Sequence, residues 1–238
     1  MLIHLSGITK NYGTFKALAP LDLKVDGEIW GIIGNNGAGK STLMKMIVGL
    51  LPPDKGIIEI GGKRIKKEPE AVKKYIGYLP ESPMLYPRLT AEELLTYIAE
   101  IKEISEISKE VDHWLEIFGL SEKRKSLLSD LSYGMKKKIA LSSAFLGKPS
   151  LLVLDEPFNG LDVATMELLA GIIAESNRAG ATILISSHLM EYIHRLCHHV
   201  MILKGGIVVG EGRPESLKEK AKADSFHDTF LHFIQGEK

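Results

Sequence analysis

Gly34-Asn35-Asn36-Gly37-Ala38-Gly39-Lys40-Ser41-Thr42 fits the pattern G-x-x-x-x-G-K-[ST], and the rest of the chain can be read outward from it. Three glycines let the backbone wrap closely around phosphate oxygens and aim successive N–H groups inward. The pattern predicts a helix over Thr42 to Leu50, whose start adds the positive end of its dipole. Lys40 can reach the β- and γ-phosphates of a nucleotide, and the Ser41 hydroxyl can ligate magnesium. Just upstream, Glu28 to Ile33 is a short apolar run that reads as a strand. Strand, glycine loop and helix follow in that order, which opens an α/β unit.

Further out, residues 2–10 and 17–25 alternate apolar and polar positions around a turn at Asn11 to Gly13, the pattern of antiparallel strands. Pro52-Pro53 and Gly61-Gly62 punctuate the stretch after the first helix. Leu151-Leu152-Val153-Leu154 runs directly into Asp155-Glu156-Pro157. Four apolar residues predict a central parallel strand, and ligands bind at the carboxyl ends of such strands. Two adjacent acids there repel each other unless a cation or a catalytic need holds them. Asp155 suits magnesium, and Glu156 suits polarising an attacking water. Strand patterns return at Ile183 to Ser186 and Val200 to Leu203. Between about 83 and 147 the character is helical. Thr90-Ala91-Glu92-Glu93 has the form of a capping box, Leu94, Leu95, Ile98 and Ile101 recur at helical spacing, and Val111 to Phe118 and Lys136 to Leu146 continue it. A last helix is expected around Asp228 to Ile234. The expected fold is a single α/β domain over 1–238: a P-loop core (1–82 and 148–238) with a mostly parallel sheet, an N-terminal antiparallel β subdomain and an inserted helical subdomain.

Composition narrows the partners. The 238 residues hold 30 Lys+Arg and 30 Asp+Glu, so there is no basic excess to draw nucleic acid and none is expected as a partner. Cys197 is the only cysteine, which rules out an internal disulfide. No apolar run reaches the ~20 residues of a membrane-spanning helix, and Met1-Leu2-Ile3-His4 lacks the features of a secretory leader. A membrane role therefore needs a partner protein. His194, Cys197 and His198 sit at helical spacing without an obvious fourth ligand, so no zinc site is expected. Lys136-Lys137-Lys138 reads as a solvated helix face.

Leu131-Ser132-Tyr133-Gly134-Met135, just upstream of the acid pair and opening a helix, makes the chain resemble the ABC-type ATPase family over nearly its whole length. That family's signature is usually Leu-Ser-Gly-Gly-Gln. Physically, the Ser132 hydroxyl and the Gly134 N–H at a helix start form an anion site. The resemblance implies that Leu131, Ser132, Tyr133 and Gly134 cap the γ-phosphate of ATP held by a second cassette, with two nucleotides sandwiched in a head-to-tail homo- or heterodimer. It implies that Tyr12 stacks on adenine while Asn35, Asn36, Gly37, Ala38, Gly39, Lys40, Ser41 and Thr42 hold the phosphates. It further implies that Asp162, in Gly160-Leu161-Asp162, belongs to a loop coupling the two sites. The catalytic set it implies is Glu156, His188 and Lys40, with Ser41, Glu81 and Asp155 on Mg2+. Glu81 stands where the family has glutamine, and Tyr133 and Met135 where it has Gly and Gln. This set is similar to exporter cassettes of bacteria and archaea. By the same likeness the partners are membrane-spanning subunits on separate chains. A coupling helix of theirs would enter a groove that includes Tyr86 to Glu93, holding this chain at the inner face of the cell membrane.

Two other classes compete with a transporter motor. One is a soluble ABC-type ATPase of an assembly or repair machine, which commonly carries two cassettes, a long coiled coil or a basic arm; none of these occurs here, but a stand-alone assembly ATPase of similar size stays open as the alternative. The other is a GTPase or small-molecule kinase with the same phosphate loop. The Asn-Lys-x-Asp guanine signature is absent, and Leu131 to Met135 would have no role there.

Overall fold

A computed structural model describes residues 1–236; Glu237 and Lys238 lie outside the described residues. Strands β1 (Ile3–Tyr12) and β2 (Phe15–Val25) form a hairpin, joined by β4 (Lys55–Ile60) and β5 (Lys63–Arg64) in an antiparallel sheet of order β2-β1-β4-β5. The second sheet is built from β3 (Ile29–Ile33), β6 (Ile76–Leu79), β7 (Leu151–Asp155), β8 (Thr182–Ser186), β9 (His199–Lys204) and β10 (Ile207–Gly212). Its order is β10-β9-β3-β8-β7-β6, parallel throughout except for the β9–β10 hairpin. Nine α-helices occur among the described residues: α1 (Lys40–Ile47), α2 (Pro69–Lys73), α3 (Ala91–Ile101), α4 (Ile107–Ile117), α5 (Tyr133–Phe145), α6 (Val163–Arg178), α7 (Met190–Leu196), α8 (Pro214–Ala221) and α9 (Phe226–Gln235).

The apolar runs become central strands because they are buried on both faces. Every residue of β3, β7 and β8 is buried. Alternate side chains then enter two separate cores. Ile29, Ile33, Leu152, Leu154, Ile183 and Ile185 join a core shared with α3 to α6. Trp30, Ile32, Leu151, Val153 and Leu184 join a second core under α1 and the antiparallel sheet. The parallel sheet is thus the middle of three layers. Its strands β3, β8, β7 and β6 are neighbours running the same way. Their carboxyl ends, from which the loops carrying Lys40, His188, Glu156 and Glu81 depart, therefore open on one edge.

Local signals account for several element starts. Thr90 and Glu93 form the capping box that opens α3: the Glu93 N–H donates to Thr90 Oγ1 (3.2 Å) and the Thr90 N–H to Glu93 Oε2 (2.8 Å). The first hairpin turns at Gly13-Thr14, later than the turn expected at Asn11 to Gly13, because β1 pairs on to Tyr12. Helix α1 likewise starts at Lys40 and ends at Ile47, shifted from the expected Thr42 to Leu50.

Gly77, in the middle of β6, is where the end of α5 presses onto the sheet. A Cβ there would lie 2.0 Å from the Ala144 carbonyl oxygen and 2.8 Å from Leu152 Cδ2. Gly77→Ala is expected to destabilise the fold by about 2–3 kcal/mol through overpacking. Urea unfolding measures this, and an unchanged midpoint would mean that α5 shifts aside without cost.

Candidate nucleotide-binding site

The phosphate loop is held by close packing. A Cβ on Gly34 would lie 2.4 Å from the Leu203 carbonyl oxygen, so only glycine lets the loop leave β3 alongside β9. Gly39 adopts φ +106 and abuts the Ala17 carbonyl, so a side chain there is both strained and blocked. Helix α1 starts directly after it, with no side-chain cap and no acid in its first turn. Its leading N–H groups are therefore left for an anion. The Lys40 ammonium is buried and donates to the carbonyls of Gly34 (2.7 Å) and Asn35 (3.4 Å), closing its own loop. Burial lowers the pKa of Lys40, while Glu156, Asp155 and Glu81 pull it back up.

Asp155 ends β7 and Glu156 follows it, both almost fully buried, at 1% and 2% exposure. Ser186, at the end of the adjacent β8, ties them together: its hydroxyl donates to Asp155 Oδ1 and accepts from the Glu156 N–H (2.9 Å). Glu156 has φ +49, a conformation costing on the order of 1–3 kcal/mol for a non-glycine residue and kept only where neighbours enforce it. The backbone N–H of His188 donates to Glu156 Oε2 (3.2 Å). His188 Nε2 lies 3.1 Å from Glu156 Oε1 without hydrogen-bond alignment, so among the described residues that oxygen is buried with no hydrogen-bond partner. Burial raises the carboxyl above its ordinary value; His188, its N–H and Lys40 act the other way. The result is a buried carboxylate of enhanced basicity with one oxygen free to accept a proton.

These groups meet in one cleft of about 260 Å³, lined by Tyr12, Phe15, Ala17, Asn36, Gly37, Ala38, Gly39, Lys40, Ser41, Thr42, Glu81, Asp155, Glu156 and His188. Asn35 contributes through its carbonyl, which accepts from the Ala38 N–H and Lys40. Leu131, Ser132, Tyr133, Gly134 and Asp162 do not line it. Ser132 caps α5, its hydroxyl accepting from the Met135 N–H, and the Tyr133 ring lies exposed across Gly160. Asp162 caps α6, its carboxylate accepting from the N–H and hydroxyl of Thr165. The cleft suits a magnesium nucleotide. Its free helix start and glycine loop suit phosphates, and Ser41, Glu81 and Asp155 are hard oxygen donors. Among the described residues no cluster of three or more His, Cys, Asp or Glu forms a metal cage. Magnesium typically takes one or two carboxylates and completes its shell with phosphate oxygens and water.

Two residues escaped the sequence reading. Phe15 is the cross-strand partner of Tyr12, visible only once the turn is placed at Gly13-Thr14. Lys137 corrects the expected solvated face over 136–138: it is fully buried, and its ammonium donates to the carbonyls of Glu156 (3.0 Å) and Glu81 (3.3 Å). The signal was available, since Lys137 shares a helical stripe with the buried Leu141, Ala144 and Phe145. Burial pushes its pKa down to about 8, against the pull of Asp155, Glu156 and Glu81. The three residues of the discounted zinc pattern have separate engagements. His194 pairs with Glu215, Cys197 packs beside Gly31, and His198 Nδ1 accepts from the Ile29 N–H.

Residues 18–159 match the family model described as ABC transporter. The uncharacterized ABC transporter ATP-binding protein YhaQ of Bacillus subtilis is 37% identical over 98% of this chain and 80% of its own length. The solved structure of an ATP binding subunit of an ABC transporter superposes with a TM-score of 0.92 at 33% identity, covering 98% of this chain and 99% of that one. The dimeric structure of MJ0796, a bacterial ABC transporter cassette, superposes with a TM-score of 0.82 at 25% identity, covering 89% of this chain and 98% of that one. With phosphate loop, paired acids and helix-opening Ser132 in their places, this chain belongs to the ABC transporter family as one of its ATP-binding cassettes, an ATPase.

Proposed function

We propose that this chain dimerises around ATP and uses its hydrolysis to drive transport through membrane subunits on separate chains. One observation carries the reading: the cleft gathers Tyr12 and Asn36 to Thr42 with Glu81, Asp155, Glu156 and His188, while Asp162 and the signature residues, also expected at the nucleotide, sit at two helix starts outside it on the same chain. A site complete but for its γ-phosphate cap calls for a second copy.

In this mechanism Tyr12 and Phe15 stack on the base, and the N–H groups of Asn36 to Thr42 surround the phosphates. Lys40 turns from its loop carbonyls to the β- and γ-phosphates. Glu156 Oε1 accepts a proton from the attacking water, and His188 holds that water and the γ-phosphate in line. Ser41, Asp155 and Glu81 would hold magnesium, which supplies charge neutralisation on the phosphates when bound. Ser132 and the Gly134 N–H of the second copy donate to the γ-phosphate, while Asp162 belongs to the loop between the two sites. ATP binding closes the dimer, and hydrolysis opens it.

The helices between β6 and β7 form the inserted subdomain of about 83–147. Its groove of about 550 Å³, lined by Tyr86, Pro87, Arg88, Leu89, Glu93 and Tyr97, is apolar and open, a fit for a helix of a membrane partner. Among the described residues no helix is long and apolar enough to cross a membrane, so the partner supplies the spanning segments and holds this chain at the inner face. Export is the direction supported by Glu81 together with the Leu131 to Met135 sequence, a set similar to exporter cassettes.

Sedimentation of the Glu156→Gln chain with and without magnesium-ATP tests the reading. A dimer that forms only with ATP is expected. Adding Ser132→Arg, which places a bulky side chain at the cap, should return it to monomer while each monomer still binds ATP. A Ser132→Arg dimer as stable as its parent would overturn the assignment of the signature.

A further inference from the structure

We propose that Lys137 is a positioning residue for ATP hydrolysis: from α5 its ammonium holds the backbone carbonyls of Glu156 and Glu81. It would thereby fix the two carboxylate-bearing segments that leave the neighbouring strands β7 and β6 and line the cleft. The proposal rests on the reading of Glu156 as the group that activates water.

Lys137 stands out by its surroundings. Among the described residues it is a lysine buried to 0% exposure, and no ion pair includes it. A buried ammonium without a carboxylate partner is costly, and an apolar side chain of similar length would fill the same space more cheaply. What the ammonium does that an apolar group cannot is set a positive charge near Asp155, Glu156 and Glu81 and donate hydrogen bonds. Both of its acceptors are main-chain oxygens of residues whose carboxylates line the cleft. The bonds leave those carboxylates untouched while fixing the peptide units that aim them.

Glu156 is where such a hold matters. Its left-handed backbone is secured on the N–H side by Ser186, through both hydroxyl and carbonyl. On the carbonyl side, among the described residues, only a long bond from the Asn159 N–H (3.3 Å) accompanies Lys137. Removing the ammonium frees that peptide to rotate and Glu156 Oε1 to leave its position. Glu81 follows β6, which packs on α5 and carries the chain into the helices of 83–147. Lys137 sits five residues after the Ser132 cap on the same helix. One side chain thus joins the signature helix to the base and to the Glu81 segment, so displacement of α5 on dimer closure is transmitted to Glu156.

Steady-state kinetics on Lys137→Met, which keeps length without donors, and Lys137→Gln, which keeps an N–H donor without charge, test this. Each is measured with Glu156 intact and in the Glu156→Gln background. Lys137→Met is expected to lower kcat about 30-fold with KM for ATP within about twofold, and Lys137→Gln to recover part of the loss. In the Glu156→Gln background Lys137→Met should change the residual rate less than twofold, because the group it positions is already gone. A kcat within twofold of the parent for folded Lys137→Met overturns the proposal. So does an equal fractional loss in both backgrounds, or a loss confined to KM. If Lys137→Met fails to fold, Lys137→Gln decides on the same criteria; if neither folds, the role is structural and the proposal falls. Sustained turnover by Glu156→Gln alone would instead sink the reading of Glu156.

Discussion

Glu156→Gln lowers kcat for ATP hydrolysis about 100- to 1,000-fold, the range for loss of a general base, while ATP affinity stays the same or tightens. The substitution keeps shape and removes only proton affinity. The interactions that set the Glu156 backbone, from Ser186 to its N–H and from Lys137 to its carbonyl, do not involve the carboxylate. The His188 N–H, which donates to Oε2, can donate equally to an amide oxygen. What disappears is the buried Oε1, without a hydrogen-bond partner among the described residues, and the basicity that burial confers on it. Affinity should not fall, because one of three carboxylates facing the phosphates is neutralised. Phosphate release under saturating magnesium-ATP, paired with a nucleotide titration, measures both halves. Turnover within tenfold of the parent would remove Glu156 from the role of base.

Legibility in the sequence divides along a physical line. Ile29 to Ile33, Leu151 to Leu154 and Ile183 to Ser186 are strands in the structure because a run of apolar residues is a local statement of burial on both faces. The capping box at Thr90 and Glu93 is equally local, since both partners lie within one turn. The glycine loop was readable because its backbone geometry demands particular residues at particular offsets. For Lys137 the helical stripe it shares with Leu141, Ala144 and Phe145 states burial, but its role is not local: its acceptors lie 19 and 56 residues away, and nothing in Lys136-Lys137-Lys138 states which main-chain oxygens await a donor. A charge run defaults to a solvated face until the tertiary fold brings acceptors to it. Phe15 was hidden by a smaller error. Pairing in a hairpin depends on the turn, and a turn placed at Asn11 to Gly13 separates Tyr12 from its partner. The convergence of Glu81, Glu156, His188 and Lys40 follows from strand order, which the apolar runs alone leave open.

Lys40→Ala weakens ATP binding by about 100- to 1,000-fold, or roughly 3–4 kcal/mol, on the scale of one or two charge-assisted hydrogen bonds to phosphate. Electrostatics adds to the loss of the bonds themselves. The cleft sets three carboxylates, Glu81, Asp155 and Glu156, against the single lysine ammonium of Lys40, and a polyphosphate adds further negative charge. Without the ammonium the magnesium that enters with the nucleotide is the main counter-charge. Folding should suffer much less than binding. Lys40 is buried at a cost that lowers its own pKa, and it donates only to the carbonyls of Gly34 and Asn35, which border an open cleft where water can replace it. Calorimetric titration with magnesium-ATP, alongside a melting curve to confirm the fold, checks both expectations. Binding within fivefold of the parent would mean that the loop N–H groups hold the phosphates unaided, and the role of Lys40 would shrink to closing the empty loop. The contrast with Ser132→Arg sharpens the test. Lys40→Ala loses nucleotide and therefore the dimer, whereas Ser132→Arg loses the dimer with nucleotide still bound, since Ser132 lies outside the cleft of its own chain. Only a site divided between two copies separates the two variants in that way.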